Sequence, residues 1–332
     1  MLKPQRSTKK HKNLAELFVL LCGKLLRVIT EEPSQQLTSL PEEPVYPPAP
    51  VVGQEVQPVP GSESLGWWLP WLDVARAIGV WVASVLLLLF VPVIVALPYL
   101  VYKIIASGAP SPEALATDKG LVFLSVLGIV PTHLLTLLVI WMFVSEGGRR
   151  PFWKTVGFEW PTNVRPVVAG VLSVVVAIVL LALAWLVTNY WGGNETQLDI
   201  LIKSSLPARF ATAFVAVATA PLVEELVYRG VLYPPLERVA RMVAGTLNPA
   251  IEKIAGAAVA VVIVSLLFAG VHVFQYMNNI AVIAVITLLS FTLTIVRAVT
   301  GKLLPCFIIH LVFNGIQSLI LALAPFVDKG TG

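Results

Sequence analysis

Two adjacent carboxylates, Glu224 and Glu225, close an apolar run from Phe210 to Ala220 that reads as a membrane helix. An ionised side chain at mid-bilayer costs roughly 2.5–3.5 kcal/mol even on insertion scales, so such a pair marks a candidate functional site by default. Arg229 follows Glu225 by four residues with the acid on the N-terminal side, the favoured order for an intrahelical ion pair. Glu224 points about 100° away around the helix and is not claimed by Arg229. Two further apolar runs carry one ionisable residue each, His272 in Phe268-Ala269-Gly270-Val271-His272 and His310 in His310-Leu311-Val312-Phe313-Asn314. Phe268 shares a helix face with His272, and His310 with Asn314, because each pair is four apart. Glutamates and histidines at membrane depth suggest a site that handles protons, water or a metal.

Three chemistries compete for these residues. A carboxylate in an apolar site is a competent general base near neutrality, and fixed donors stabilise a developing oxyanion. Glu, His and His could instead bind zinc as in thermolysin-type sites, but no His-Glu-x-x-His appears, so the reading is metal-free with zinc as the alternative. A proton-coupled transporter also places Glu and His within the bilayer, yet the repeated halves common in transporters are absent here. No Gly-x-Ser-Gly and no Gly-x-Gly-Asp is present for serine or aspartyl intramembrane chemistry. Plainer readings stand beside each residue: an interfacial Glu pair, packed histidines, and an Asn314 that only joins two helices. His133, after Pro131, reads as structural, and Phe268 as packing beside His272.

The elements that position these residues follow from composition. The 332 residues are 57% hydrophobic and 13% charged, with a mean hydropathy of +0.84. Soluble domains carry about 25% charged residues, so this is an integral membrane protein. Two cysteines, Cys22 and Cys306, make no disulfide framework. Seven apolar runs, near 74–102, 121–144, 166–190, 208–230, 256–277, 280–297 and 303–325, are each close to the roughly 20 residues a span needs. The fold class is therefore all-α, a polytopic transmembrane helix bundle with about seven spans. Three segments divide the chain: a basic amphipathic N-terminal segment over 1–30, a Pro-rich disordered linker over 31–72, and a transmembrane domain over 73–327. Trp67, Trp68 and Trp71 form an aromatic belt at the interface.

Lysine and arginine gather in the N-terminal tail, the 145–165 loop and the segment from Arg229 to Lys253, which places the N-terminus in the cytoplasm of a multi-pass cell-membrane protein. Arg76, Arg209 and Arg229 stand near span ends, where long side chains snorkel. Gly230 and Pro234-Pro235 read as a turn at the membrane surface, with 232–253 as an amphipathic surface helix. A tension follows. Arg229 ends the fourth span near the cytoplasm while His272 falls late in the fifth. Either the fifth helix starts deeper or part of 231–255 re-enters the membrane.

Glu-Glu-x-x-x-Arg, Phe-x-x-x-His and His-x-x-x-Asn, in order on three helical regions over roughly 150–320, resemble the CPBP family, the type II CAAX prenyl endopeptidases and related bacteriocin-processing proteins. Residues 1–72 match nothing in that pattern. The resemblance implies an intramembrane endopeptidase in which Glu224, helped by His272, activates a water. His310 and Asn314 would donate to the oxyanion, and Glu225 and Arg229 would hold the site together. It implies a membrane-associated peptide or protein substrate within the lipid bilayer and no nucleic acid, and it leaves the oligomeric state open. Some relatives are credited with bacteriocin immunity, so a non-catalytic scaffold is the alternative from the same resemblance.

Overall fold

The computed structural model describes residues 69–192, 205–276 and 279–327. The chain divides into two compact units at Gln57/Pro58, and every described residue lies in the second. The N-terminal amphipathic segment, Trp67, Trp68 and all of the linker before Leu69 lie outside the described residues. Among those described, every regular element is helical. Seven helical stretches are long and apolar enough to cross a membrane, so the protein is an all-α polytopic bundle.

The first span, α1 (Leu69–Ser107), has 39 residues and contains Pro92 and Pro98. It begins earlier than the run from 74 and takes in Trp71, which stands on its first turn. The short α2 (Pro112–Thr117) leads to Asp118, whose carboxylate caps α3 (Lys119–Leu127) by accepting from Gly120 and Leu121 N–H. With α4 (Ile129–Val144), α3 forms the second span. After the small helix α5 (Phe152–Thr155), α6 (Pro166–Trp191) forms the third. It buries Ala169, Ser173, Ala177, Leu180 and Ala184 on one face. That stripe lets α6 lie close against the last two helices, α11 (Ile280–Thr300) and α12 (Leu304–Val327).

The fourth span departs from its expected limits. Helical structure runs without a break from Leu206 to Leu247, 42 residues or about 63 Å at 1.5 Å per residue, twice the hydrocarbon thickness. It consists of α7 (Leu206–Phe214), a π turn (Val215–Thr219), α8 (Ala220–Glu225), a second π turn (Leu226–Leu232) and α9 (Tyr233–Leu247). Proline follows each π turn, Pro221 after the first and Pro234-Pro235 after the second. A proline lacks the N–H that an α ladder needs, and a π turn re-registers the ladder so that the helix continues. The turn expected at Gly230 therefore does not form. Arg229 does not snorkel either, because it lies inside this helix and is fully buried.

From Leu247 the chain passes through a 3₁₀ turn (Pro249–Ile251) into α10 (Glu252–Tyr276), which packs back along α9. Gly256 allows the close approach. A Cβ there would lie 2.8 Å from the Arg241 backbone N and 2.1 Å from its Cγ. The two arms, Arg229 to Leu247 out and Glu252 to Phe268 back, are nearly equal, so Phe268 returns to the level of Arg229. The tension over the depth of His272 is resolved by this hairpin. The fourth helix is longer than expected, and neither a deep start of α10 nor a re-entrant segment is required.

The 145–165 loop is fastened to the turn between α11 and α12. Gly157 O accepts from Leu303 N–H at 2.8 Å, and Lys302 Nζ pairs with Glu159 Oε2 at 2.7 Å. Gly157 has φ +72°, and a Cβ would sit 2.9 Å from Arg297 Nη1, so both backbone and space select glycine. The Lys302 ammonium bonded to Glu159, with Lys154 nearby, holds that carboxyl below the usual carboxylate range.

Candidate active site

Glu225 and Arg229 pair at 3.1 Å, both side chains fully buried, as the spacing of four predicts. A buried pair is stable only where its other donors and acceptors are met. Arg229 meets that condition from a neighbouring helix. Its Nη2 donates to Ser290 O at 3.0 Å and to Ser290 Oγ at 2.8 Å, and Nε donates to Thr294 Oγ1 at 3.2 Å. Ser265 on α10 donates to the same Thr294 hydroxyl at 3.3 Å. Thus one guanidinium bonds the fourth span to α11, and the Thr294 hydroxyl that receives it also bonds α11 to α10.

His310 on α12 stands between the two glutamates. Its Nδ1 lies 2.8 Å from Glu225 Oε1, the oxygen that Arg229 also reaches, and its Nε2 lies 3.6 Å from Glu224 Oε2. An ionised carboxylate only accepts, so Nδ1 carries a hydrogen. Nε2 then meets Glu224 favourably if a proton lies between them or if one water touches both. At 3.6 Å the two atoms are too far apart for a direct hydrogen bond and too close for a water to sit between them, so a water that meets both stands beside the pair. Glu224 keeps 24% of its side chain exposed while Glu225 has none, so the two neighbours face different surroundings.

Phe268 is the hub on the opposite side. Its buried ring lies 4.8 Å beneath the Arg229 guanidinium and meets Tyr228 edge-on at 5.0 Å and His310 at 6.2 Å. His272 stacks on it at 4.7 Å, with Nδ1 2.9 Å from Phe268 O. A carbonyl only accepts, so a neutral His272 carries its lone pair on Nε2. The packing role read for Phe268 holds, and the ring also carries the arginine. Trp81 Nε1 on α1 donates to Tyr228 Oη at 3.2 Å, a tie that no sequence spacing signals.

Asn314 is engaged with the first π turn. Its Nδ2 donates to Ala216 O at 3.0 Å. In the i→i+5 pattern Ala220 N–H serves Val215 O, and the next donor, for Ala216 O, would come from residue 221, which is proline. Asn314 supplies the missing donor. Of the six expected site residues, the structure joins Glu225, Arg229 and His310 by direct bonds, with Glu224 facing His310. His272 is linked through Phe268, and Asn314 through the π turn that precedes Glu224.

A metal would need several free donors. His310 Nδ1 is engaged with Glu225 Oε1, which leaves Nε2 as the ring nitrogen able to meet a metal. Among the described residues no three His, Cys, Asp or Glu side chains gather as a metal site requires.

Residues 206–316, from the start of α7 into α12, match the family model described as type II CAAX prenyl endopeptidase Rce1-like. The matched stretch contains all three motifs and upholds the resemblance they carry. No curated protein and no solved structure matches the chain.

Proposed function

We propose, from the likeness of residues 206–316 to the type II CAAX prenyl endopeptidases, that this membrane protein cleaves a peptide bond with a water activated by Glu224. The observation that carries this reading is the position of His310, bonded to Glu225 and facing Glu224 across 3.6 Å. A water beside that pair touches a carboxylate that can take its proton. The oxygen then bonds to the scissile carbonyl carbon. The C–N bond breaks as Glu224 returns the proton to the departing amine nitrogen.

The other residues fall into supporting roles. Glu225 and Arg229 fix His310. The lone pair on His272 Nε2 receives a hydrogen bond from the water or from the departing amine. His310, with a proton on Nε2, and the second amide N–H of Asn314 are the oxyanion donors. We read the mechanism as metal-free, with zinc as the alternative. Convergence of Glu224, Glu225 and His310 at one point favours hydrolysis over transport, which would spread such groups along a path. The substrate is a membrane-associated peptide or protein, and the site lies in the cytoplasmic half of the bilayer.

The test is cleavage of a membrane-peptide library, prenylated and unprenylated, by purified protein, with Glu224→Gln as control. Equal cleavage by parent and Glu224→Gln removes the proposed base.

A further inference from the structure

Asn314 secures the first π turn from α12, and a histidine outside the three motifs reaches the same turn from α4. His133, buried on α4, places Nδ1 2.7 Å from Thr219 Oγ1. The Thr219 hydroxyl also donates to Val215 O at 3.2 Å. A hydroxyl has one hydrogen, so both bonds form together only when His133 donates from Nδ1. Thr219 closes the π turn with φ −121° and ψ −44°, off the values of the helix on either side, and α8 with Glu224 begins at the next residue. His133 also lies within electrostatic reach of Glu224.

We infer that His133 is a positioning residue for Glu224: by donating to Thr219 it holds the π turn that Asn314 also holds, and the two together fix where the Glu224 carboxylate points. The physical reason is the break in the backbone ladder. Pro221 leaves Ala216 O without a backbone donor, and the π turn is the weakest place in a helix whose next turn carries the base. Side chains from two other helices replace what the ladder lacks. The functional part of this inference rests on the proposed proteolytic role, while the pinning of the turn can be measured without it.

The experiment compares His133→Leu, Thr219→Val, the double variant and His133→Asn, the last keeping a donor close to the place of Nδ1. Amide hydrogen exchange of purified protein is followed in peptides over 215–226 and over α6, and cleavage of the library's best substrate is measured alongside. Expected for His133→Leu and Thr219→Val is exchange over 215–226 at least about tenfold faster with α6 unchanged, and kcat lower by about 10- to 100-fold at an unaltered KM. The double variant is no worse than either single, and His133→Asn restores both readouts. Parental exchange over 215–226 in His133→Leu overturns the inference. So does equal acceleration over α6, an unchanged kcat in an active background, a double variant additive in its losses, or failure of His133→Asn to restore. If the parent cleaves nothing, the proteolytic reading has failed and the exchange data alone decide whether His133 holds the turn.

Discussion

His310 and Glu225, eighty-five residues apart, meet at 2.8 Å with both side chains almost wholly buried. That contact separates the two glutamates energetically. Glu225 also neutralises Arg229, so Glu225→Gln leaves a buried cation unpaired and is expected to cost about 3–5 kcal/mol of stability. Glu224 is paired with no arginine among the described residues and is partly exposed. Glu224→Gln is therefore expected to keep the parental thermal midpoint and to lose activity by about 10²- to 10⁴-fold. Melting curves and cleavage rates for the two variants check this. A Glu224→Gln protein that melts as early as Glu225→Gln contradicts the division of roles.

This pair also shows how much of the site the sequence carries. The Glu225–Arg229 bond was legible because spacing on a helix fixes geometry locally. The membrane bundle was legible because seven apolar runs leave few alternatives. Ser290, Thr294 and Trp81 were not legible as partners, since a serine or tryptophan in an apolar helix has no local mark of what it meets across the bundle. The length of the fourth helix was misread for a related reason. Gly230 and Pro234-Pro235 are turn signals in an α ladder, but the π turn that contains Gly230 and ends just before the prolines changes which N–H is needed. Pro221 pointed to the same device nearer the site.

The metal-free reading is checked by composition and chelation. Active purified protein is expected to hold well under one zinc per chain and to keep its activity in strong chelators. Stoichiometric zinc, with activity lost on chelation and restored by zinc, would make Glu224, His272 and His310 candidate ligands instead.

Topology gives a third expectation. In protein with Cys22 replaced, Arg149→Cys in the basic loop is expected to react with an impermeant thiol reagent only after cell lysis. Tyr190→Cys, at the exposed end of α6, is expected to react in intact cells. The buried Cys306 serves as the unreactive internal reference. The opposite pattern inverts the orientation and moves the site to the other half of the bilayer.

The loop clamp predicts a pH effect. Glu159 has a carboxyl held low by its bond to Lys302, so its contribution is complete above the ordinary carboxylate value and is lost as pH falls through the lowered one. Thermal midpoints of the parent are expected to drop below about pH 4 by an increment that Glu159→Gln lacks. Parallel curves for the two proteins remove the clamp from the account of acid stability.

The guanidinium of Arg229 draws its bonds from Ser290, Thr294 and, through Glu225, from His310. In the order of synthesis those partners emerge about 60 and 80 residues after the arginine itself. Until then the newborn fourth helix carries a charge pair shielded only by its own i,i+4 contact, with lipid or the insertion machinery for neighbours. The candidate site is thus the last part of the membrane domain to be completed, and a nascent chain halted before α12 would carry Glu224 and Glu225 without the histidine that meets them.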